Sequence, residues 1–348
     1  MITQVLPASP ESFALASDLL RKGQLVAFPT ETVYGLGADA LNESAVRAIF
    51  EAKGRPADNP LIVHIADRSQ LSPLCEVSDV SCRLMDAFWP GPLTMLFPKK
   101  PAVPAVVTAG LPTVAIRMPS HPDAAALLRV CGLPIAAPSA NRSGRPSPTT
   151  AAHVLEDMDR RIPLILDGGP CEVGVESTVL DLTHGEPTIL RPGGITRNML
   201  ESVLGTPVRL ADSILRPLGK DEKALSPGMR YQHYAPEAVL TLVEGPEDRV
   251  LALMRKKCSE ALSMGKKACV LCFSEHCALL SDCFPHDIGS LSRPEETARR
   301  LFRVLRKLDE EGMEVVFTEV LPPEEIGLAV MNRLGRAAAF RTLRADQE

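Results

Sequence analysis

The sequence predicts an α/β protein of two domains, the first a sheet covered by helices and the second a small, parallel, doubly wound sheet. Three observations carry that prediction. Apolar residues alternate between helical and strand-like spacing along most of the chain. At 348 residues, the chain exceeds what one hydrophobic core ordinarily organises. Between residues 208 and 238 the periodicity stops, over a stretch longer than most connections inside a domain. The expected boundaries are 1–207 for the first domain, 208–238 for a linker and 239–348 for the second domain.

Each element follows from a local signal. Ser9 caps a helix through Lys22, Gly23 stops it, and Leu25 to Phe28 form the next strand. Asn42 or Ser44 opens a helix through Ala52, and Leu61 to Ile65 follow as a strand. Residues 79–88 are helical and 93–97 extended, and a Pro-rich loop crosses 98–112. Strand 114–117, a helix over 122–130 and strand 135–137 come next. Thr149 or Thr150 opens another helix, and 164–166, 178–180 and 189–190 are short strands. A last helix over 196–204 stops at Gly205. In the second domain, strands 239–243, 268–273 and 315–317 alternate with helices 246–264, 294–311 and 324–336. That domain carries no Gly-x-Gly-x-x-Gly and no Gly-Lys-Ser/Thr phosphate loop, so its fold is intelligible while its chemistry is not.

Composition narrows the function classes. No apolar run approaches the ~18 residues that span a bilayer. Met1 to Pro7 lacks the basic and apolar segments of a signal peptide, so a cytoplasmic location is expected. The net charge of −5 argues against a dedicated nucleic-acid binder, although a local basic groove remains open. Nine cysteines without regular spacing read as reduced thiols. Cys269 and Cys272 share the spacing of redox and zinc motifs, yet they lie in an apolar run that reads as a buried strand.

Four polar clusters interrupt the first domain, each beside a strand. Pro29-Thr-Glu-Thr-Val-Tyr-Gly-Leu-Gly-Ala38 reads as a strand-to-helix turn whose glycines permit close approach of a ligand. Lys53 and Arg55 stand two residues apart before Asn59 and His64, as a solvated basic turn or as an anion site. Arg117 closes an apolar strand and needs an anionic partner, either an internal acid or a ligand carboxylate. Pro138-Ser-Ala-Asn-Arg-Ser-Gly-Arg-Pro-Ser147 resembles an anion nest leading toward a helix. Glu176-Ser-Thr178 and Arg191-Pro-Gly-Gly194 repeat the habit. Lys53, Arg55, Arg117, Arg142 and Arg191 together point to a polyanion such as a nucleoside triphosphate.

Lys53-x-Arg55 with Ser139-x-Asn141, framed by Pro-Thr-Glu-Thr-Val-Tyr-Gly-Leu and Pro-Ser-Ala-Asn-x-Ser-Gly, resembles the YrdC-like domain of the threonylcarbamoyl-AMP synthase family. The resemblance covers roughly residues 5–205, and the linker with its trailing domain resembles the long, two-domain form. It implies a twisted, open, mixed YrdC-like sheet followed by a smaller Rossmann-like domain. It also implies a nucleotidyltransferase that makes L-threonylcarbamoyladenylate and pyrophosphate from L-threonine, bicarbonate and ATP. The product would serve N6-threonylcarbamoylation of adenosine 37 in tRNA by a downstream transferase.

By that likeness, Thr32, His64, Arg117, Ala137 and Ser177 would line the threonine site. Arg55, Asn59, Thr113, Ser139, Asn141, Ser147 and Arg191 would hold ATP, with Lys53 and Arg55 offsetting phosphate charge. Tyr231 and Tyr234, in a segment that reads as either tether or lid, would close over the nucleotide. Mg²⁺ is expected mainly on ATP oxygens and water. A weak tRNA contact and an oligomer are compatible with the sequence; a membrane partner is not expected. The rivals are an RNA-binding module, disfavoured by charge and by 4% aromatics for base stacking, and plain carbamoyl transfer.

Overall fold

The computed structural model describes residues 2–214, 216 and 234–347. These fall into two compact units, one of 2–143 and 147–214, the other of 144–146, 216 and 234–347.

The first unit runs β1 (Gln4–Pro7), α1 (Pro10–Arg21), β2 (Val26–Phe28), β3 (Gly35–Asp39), α2 (Glu43–Lys53), β4 (Ile62–His64), α3 (Asp79–Phe88), β5 (Leu93–Pro98) and α4 (Ala105–Thr108). It continues through β6 (Thr113–Arg117), α5 (Pro122–Cys131), β7 (Ile135–Ala136), α6 (Ala151–Met158), β8 (Leu164–Asp167), β9 (Thr178–Asp181), β10 (Thr188–Arg191), α7 (Arg197–Leu204) and β11 (Arg209–Leu210). The sheet order is β1-β8-β2-β3-β7-β4-β6-β5-β9-β10-β11. Parallel pairs (β4 with β6, β5 with β9) mix with antiparallel ones (β3 with β7, β5 with β6), as a mixed sheet requires.

Local chemistry sets the helix ends. Ser9 caps α1 in a reciprocal box with Ser12, and Pro10 occupies the first turn, where a missing N–H costs nothing. Asn42 caps α2, and Gly54, left-handed at φ 61°, ends it. Lys53 therefore occupies the last turn, where the helix dipole favours a cation. Against one stretch of the sheet, Phe13, Leu20, Leu127 and Leu128 of α1 and α5 pack on Val26, Phe28 and Leu164.

The segment read as a turn after Phe28 is partly strand. β3 pairs antiparallel with β2, with Gly37 opposite Val26. Gly37 leaves room for its neighbours, since a Cβ there would stand 2.9 Å from both Ile135 Cγ2 and Phe28 Cε1. A glycine-rich strand lacks the branched residues that announce strands in sequence. β1 and β11 are also unexpected, and β1 ends in a proline tolerated because β1 lies at the sheet edge.

The second unit runs β12 (Val239–Glu244), α8 (Glu247–Ser263), β13 (Ala268–Cys272), β14 (Pro285–Asp287), α9 (Pro294–Glu310), β15 (Val315–Thr318), α10 (Glu325–Ala337) and β16 (Thr342–Arg344). Its order is β14-β13-β15-β12-β16 with every pair parallel, the doubly wound arrangement expected. Cys269 and Cys272 are buried in β13, and all nine cysteines are free.

Candidate active site

Strand register aligns residues that the sequence scatters. Parallel pairing of β4 with β6 sets His64 opposite Arg117, and antiparallel pairing of β6 with β5 sets Arg117 opposite Thr94. Partners across strands share a face of the sheet. Thr94 Oγ1 lies 2.8 Å from Ser177 Oγ. Arg191 then donates to Ser177 twice, through Nη2 to the hydroxyl and Nε to the carbonyl, each at 3.1 Å. The result is one polar band from β4 to β10. Ala137 borders it, its N–H donating to the Ile62 carbonyl at 2.9 Å.

Arg117 is the centre of the band and almost fully buried. Nη1 donates to Thr32 Oγ1 at 2.8 Å, Nε to the Gly91 carbonyl at 3.3 Å, and Nη2 stands 2.6 Å from Glu31 Oε2. Of the two partners open at the level of sequence, an internal acid is thus present. Burial pushes the Glu31 carboxyl up, but the Arg117 charge and the remaining hydrogen bonds outweigh it and hold the group below its usual range. Thr94 and Glu31 had no assigned role in sequence. Thr94 sits in an apolar run, and Glu31 lies inside a motif that gives it no partner.

His64, at the end of β4, is buried edge-on to the Phe28 ring at 6.1 Å. Its Nδ1 has no hydrogen-bond partner among the described residues. Burial and the Arg117 charge push its pKa down to about 3, so the imidazole is neutral at pH 7. The folded value lies below the ordinary 6.5, so the unfolded chain binds the extra proton and stability falls as pH drops from about 6.5 toward 3. For one proton the slope is about 1.4 kcal/mol per pH unit. His64→Gln is expected to remove that slope in urea unfolding between pH 7 and 4; an unchanged slope would contradict the assignment.

A second group gathers where β4 begins. β7 runs antiparallel to β4, so Ser139 and Asn141 head toward Asn59. The Lys53 ammonium is buried and donates to the carbonyls of Ser139 at 2.5 Å and Asn141 at 2.6 Å, with Asn141 Oδ1 at 3.4 Å. Ser139 Oγ donates to Asn141 Oδ1 at 2.6 Å, and Ser143 N–H returns to the Lys53 carbonyl at 2.9 Å. Lys53 thus pins the 139–143 loop. The position of Lys53 at the end of α2, facing that loop, is the physical reason.

Arg55 is half-buried, its guanidinium 5.7 Å from the Phe50 ring and Nη2 donating to the Asn59 carbonyl at 3.1 Å. Thr113 opens β6 and Arg117 closes it. Four strand steps separate them, about 13 Å. The two groups thus mark the ends of an elongated site rather than a point.

Ser147 Oγ donates to Glu176 Oε1 at 2.5 Å, next to Ser177. The glycines after Arg191 serve the same corner. A Cβ on Gly193 would stand 2.3 Å from Thr178 N and 2.5 Å from the Glu176 carbonyl. Arg142, counted among the cations, pairs with Asp157 at 3.7 Å. Tyr234, one of the two tyrosines expected over the nucleotide, is buried at φ 65° in the second unit, its ring 5.1 Å from that of Phe302. Tyr231 lies outside the described residues.

Comparison with known proteins identifies this architecture. A family model described as telomere recombination matches residues 18–193, and one described as threonylcarbamoyl-AMP synthase, C-terminal domain, matches 195–339. Threonylcarbamoyl-AMP synthase of Bacillus subtilis is 48% identical over 99% of this chain and 97% of its own. The chain belongs to the threonylcarbamoyl-AMP synthase family. The family protein of Pyrococcus abyssi is 47% identical over 95% of each chain. A crystal structure of P. abyssi Sua5 complexed with L-threonine superposes with a TM-score of 0.91 at 45% identity, covering 99% of this chain and 98% of that one. A double-alanine variant of the same protein gives 0.92 at 43% identity, with the same coverage. The two models together span both units, so this member has the two-domain form.

Proposed function

We propose that this chain condenses L-threonine, bicarbonate and ATP into L-threonylcarbamoyladenylate and pyrophosphate, on the sheet face that carries the polar band. The observation that supports this most is the register placing His64, Arg117, Thr94, Ser177 and Arg191 in one band, with Lys53, Arg55, Asn59, Ser139 and Asn141 gathered at the start of β4. The first group suits a small amino acid, with Arg117 for the carboxylate and Thr32, Ala137 and Ser177 around it. The second suits a nucleotide, and Thr113, Ser147 and Arg191 are assigned to it as well, Arg191 being shared with the band through Ser177. Of the two tyrosines expected over the nucleotide, Tyr231 lies outside the described residues and Tyr234 packs on Phe302.

Threonine's amine and bicarbonate form a carbamate with loss of water. A carbamate oxygen then attacks the α-phosphorus of ATP, the bond to the β-phosphate oxygen breaks, and pyrophosphate leaves with its electron pair. The nucleophile arrives anionic, so no general base needs to remove a proton at that step. The protein's contribution is orientation and charge neutralisation. Lys53 fixes the loop bearing Ser139 and Asn141, and Arg55 brings a fork suited to phosphate oxygens.

Among the described residues no three His, Cys, Asp or Glu side chains gather to hold a metal. Mg²⁺ would be held mainly by the nucleotide's phosphate oxygens and by water, where it would offset phosphate charge. No helix among the described residues is long and apolar enough to cross a membrane. The product's mixed anhydride is reactive toward amines, which fits use by a tRNA-modifying transferase at adenosine 37.

Arg55→Ala tests the nucleotide assignment. Since Arg55 is half-exposed, the fold should persist while pyrophosphate release at saturating threonine and bicarbonate falls by ~10²-fold. A rate within threefold of the parent would remove Arg55 from the site. Omitting L-threonine separates this function from plain carbamoyl transfer: release of pyrophosphate should stop.

A further inference from the structure

We infer that Glu31 is a positioning residue for threonine, acting through Arg117, and this rests on the reading that Arg117 receives the threonine carboxylate. Three facts carry it. The Glu31 and Arg117 side chains are 5% and 3% exposed and 2.6 Å apart, so this is a buried, unscreened pair rather than a surface one. Against burial, Arg117 is the one charged group that lowers the Glu31 pKa, ahead of the backbone N–H groups of Ser120 and Glu31 itself, so the guanidinium is the carboxylate's main partner. Finally, Glu31 is fixed from its own backbone, since its carbonyl accepts the Val173 N–H at 2.8 Å, while the next residue, Thr32, accepts from Arg117 Nη1 at 2.8 Å.

The consequence is geometric. Arg117 presents five N–H groups. Gly91 takes Nε, Thr32 takes one N–H of Nη1, and Glu31 faces Nη2. These partners hold the guanidinium plane from three sides. The N–H groups that remain on Nη1 and Nη2 supply the paired donors that a carboxylate accepts. A second consequence is electrostatic. With Glu31 ionised, the pair is neutral before substrate arrives, so the pocket admits one carboxylate without drawing in the more highly charged phosphates of ATP. Glu31 thereby helps separate the amino-acid end of the site from the nucleotide end.

Glu31→Gln keeps shape and an acceptor oxygen but removes the charge, and is the variant of choice because it preserves the fold better than truncation. The expected result is a rise of about tenfold or more in KM for L-threonine, with KM for ATP changed less than threefold. ATP is also expected to become a measurable competitor of threonine in this variant. In an Arg117→Lys background, where the fork is already lost, adding Glu31→Gln should raise the threonine KM no further. A purely structural role would instead lower kcat and raise both KM values in parallel, which overturns the inference. So does an unchanged threonine KM in Glu31→Gln. If the unaltered protein shows no threonine-dependent pyrophosphate release, the reading of the whole site fails, and this inference with it. Should Glu31→Gln not fold, the threonine-induced rise in melting temperature of Glu31→Asp, compared with that of the unaltered protein, decides the matter. Glu31→Asp, one methylene shorter, is expected to lose most of the rise seen in the unaltered protein while still answering normally to ATP; a full rise with threonine overturns the inference.

Discussion

Lys53→Ala is expected to lower pyrophosphate release by about 10²-fold or more, at saturating ATP, threonine and bicarbonate. The ammonium spans from the end of α2 to the carbonyls of Ser139 and Asn141. Removing it strands those acceptors in a buried place, at about 1–3 kcal/mol for each one left unmade. The loop then relaxes, and Ser139 and Asn141 leave their places. A displacement near 1 Å in such a positioning element is enough for a loss of this size. Melting temperature and turnover should fall together. A variant that melts normally yet is inactive would return Lys53 to direct phosphate contact. One that turns over normally would show that the loop holds without it.

Breaking the buried Arg117 pair should have the largest effect on stability. Arg117→Ala leaves Glu31 ionised and buried without its partner, a loss of about 3–5 kcal/mol. Stranded in this way, Glu31 would have a raised pKa, so the deficit should be full above that value and shrink as pH falls and the carboxyl protonates. In the unaltered protein the sign is opposite. The Glu31 pKa is lowered, so its contribution is complete above the ordinary carboxylate range and is lost in more acid solution. Urea unfolding at pH 7 and pH 5 distinguishes the two. Replacing both residues with apolar ones, as in Arg117→Met with Glu31→Leu, should restore much of the stability and none of the threonine dependence. Equal deficits in the single and double variants would show that the ion pair is not what matters there.

Most of the architecture could be read from local signals because those signals are strong. Ser9, Asn42, Gly54 and Gly205 mark helix ends by backbone chemistry that acts within a few residues. The branched runs of β12, β13 and β15 announce a parallel sheet in the same way. β3 escaped because glycines carry no strand signal, and their fit against Ile135 and Phe28 exists only once the sheet has formed. Edge strands β14 and β16, three residues each, are too short to show periodicity.

Within the site, the sequence alone determined which residue types were available: two cations beside α2, a buried arginine ending β6, hydroxyls and an amide after β7. Tertiary structure decided what each one faces. Glu31 reaches Arg117 across 86 positions, and Lys53 reaches Ser139 across the same number. Thr94 joins the band only through its register with Arg117. Caps and periodicity depend on neighbours along the chain, whereas a buried charge takes its partner from whatever strand order and register bring within about 3 Å. No local pattern encodes that choice.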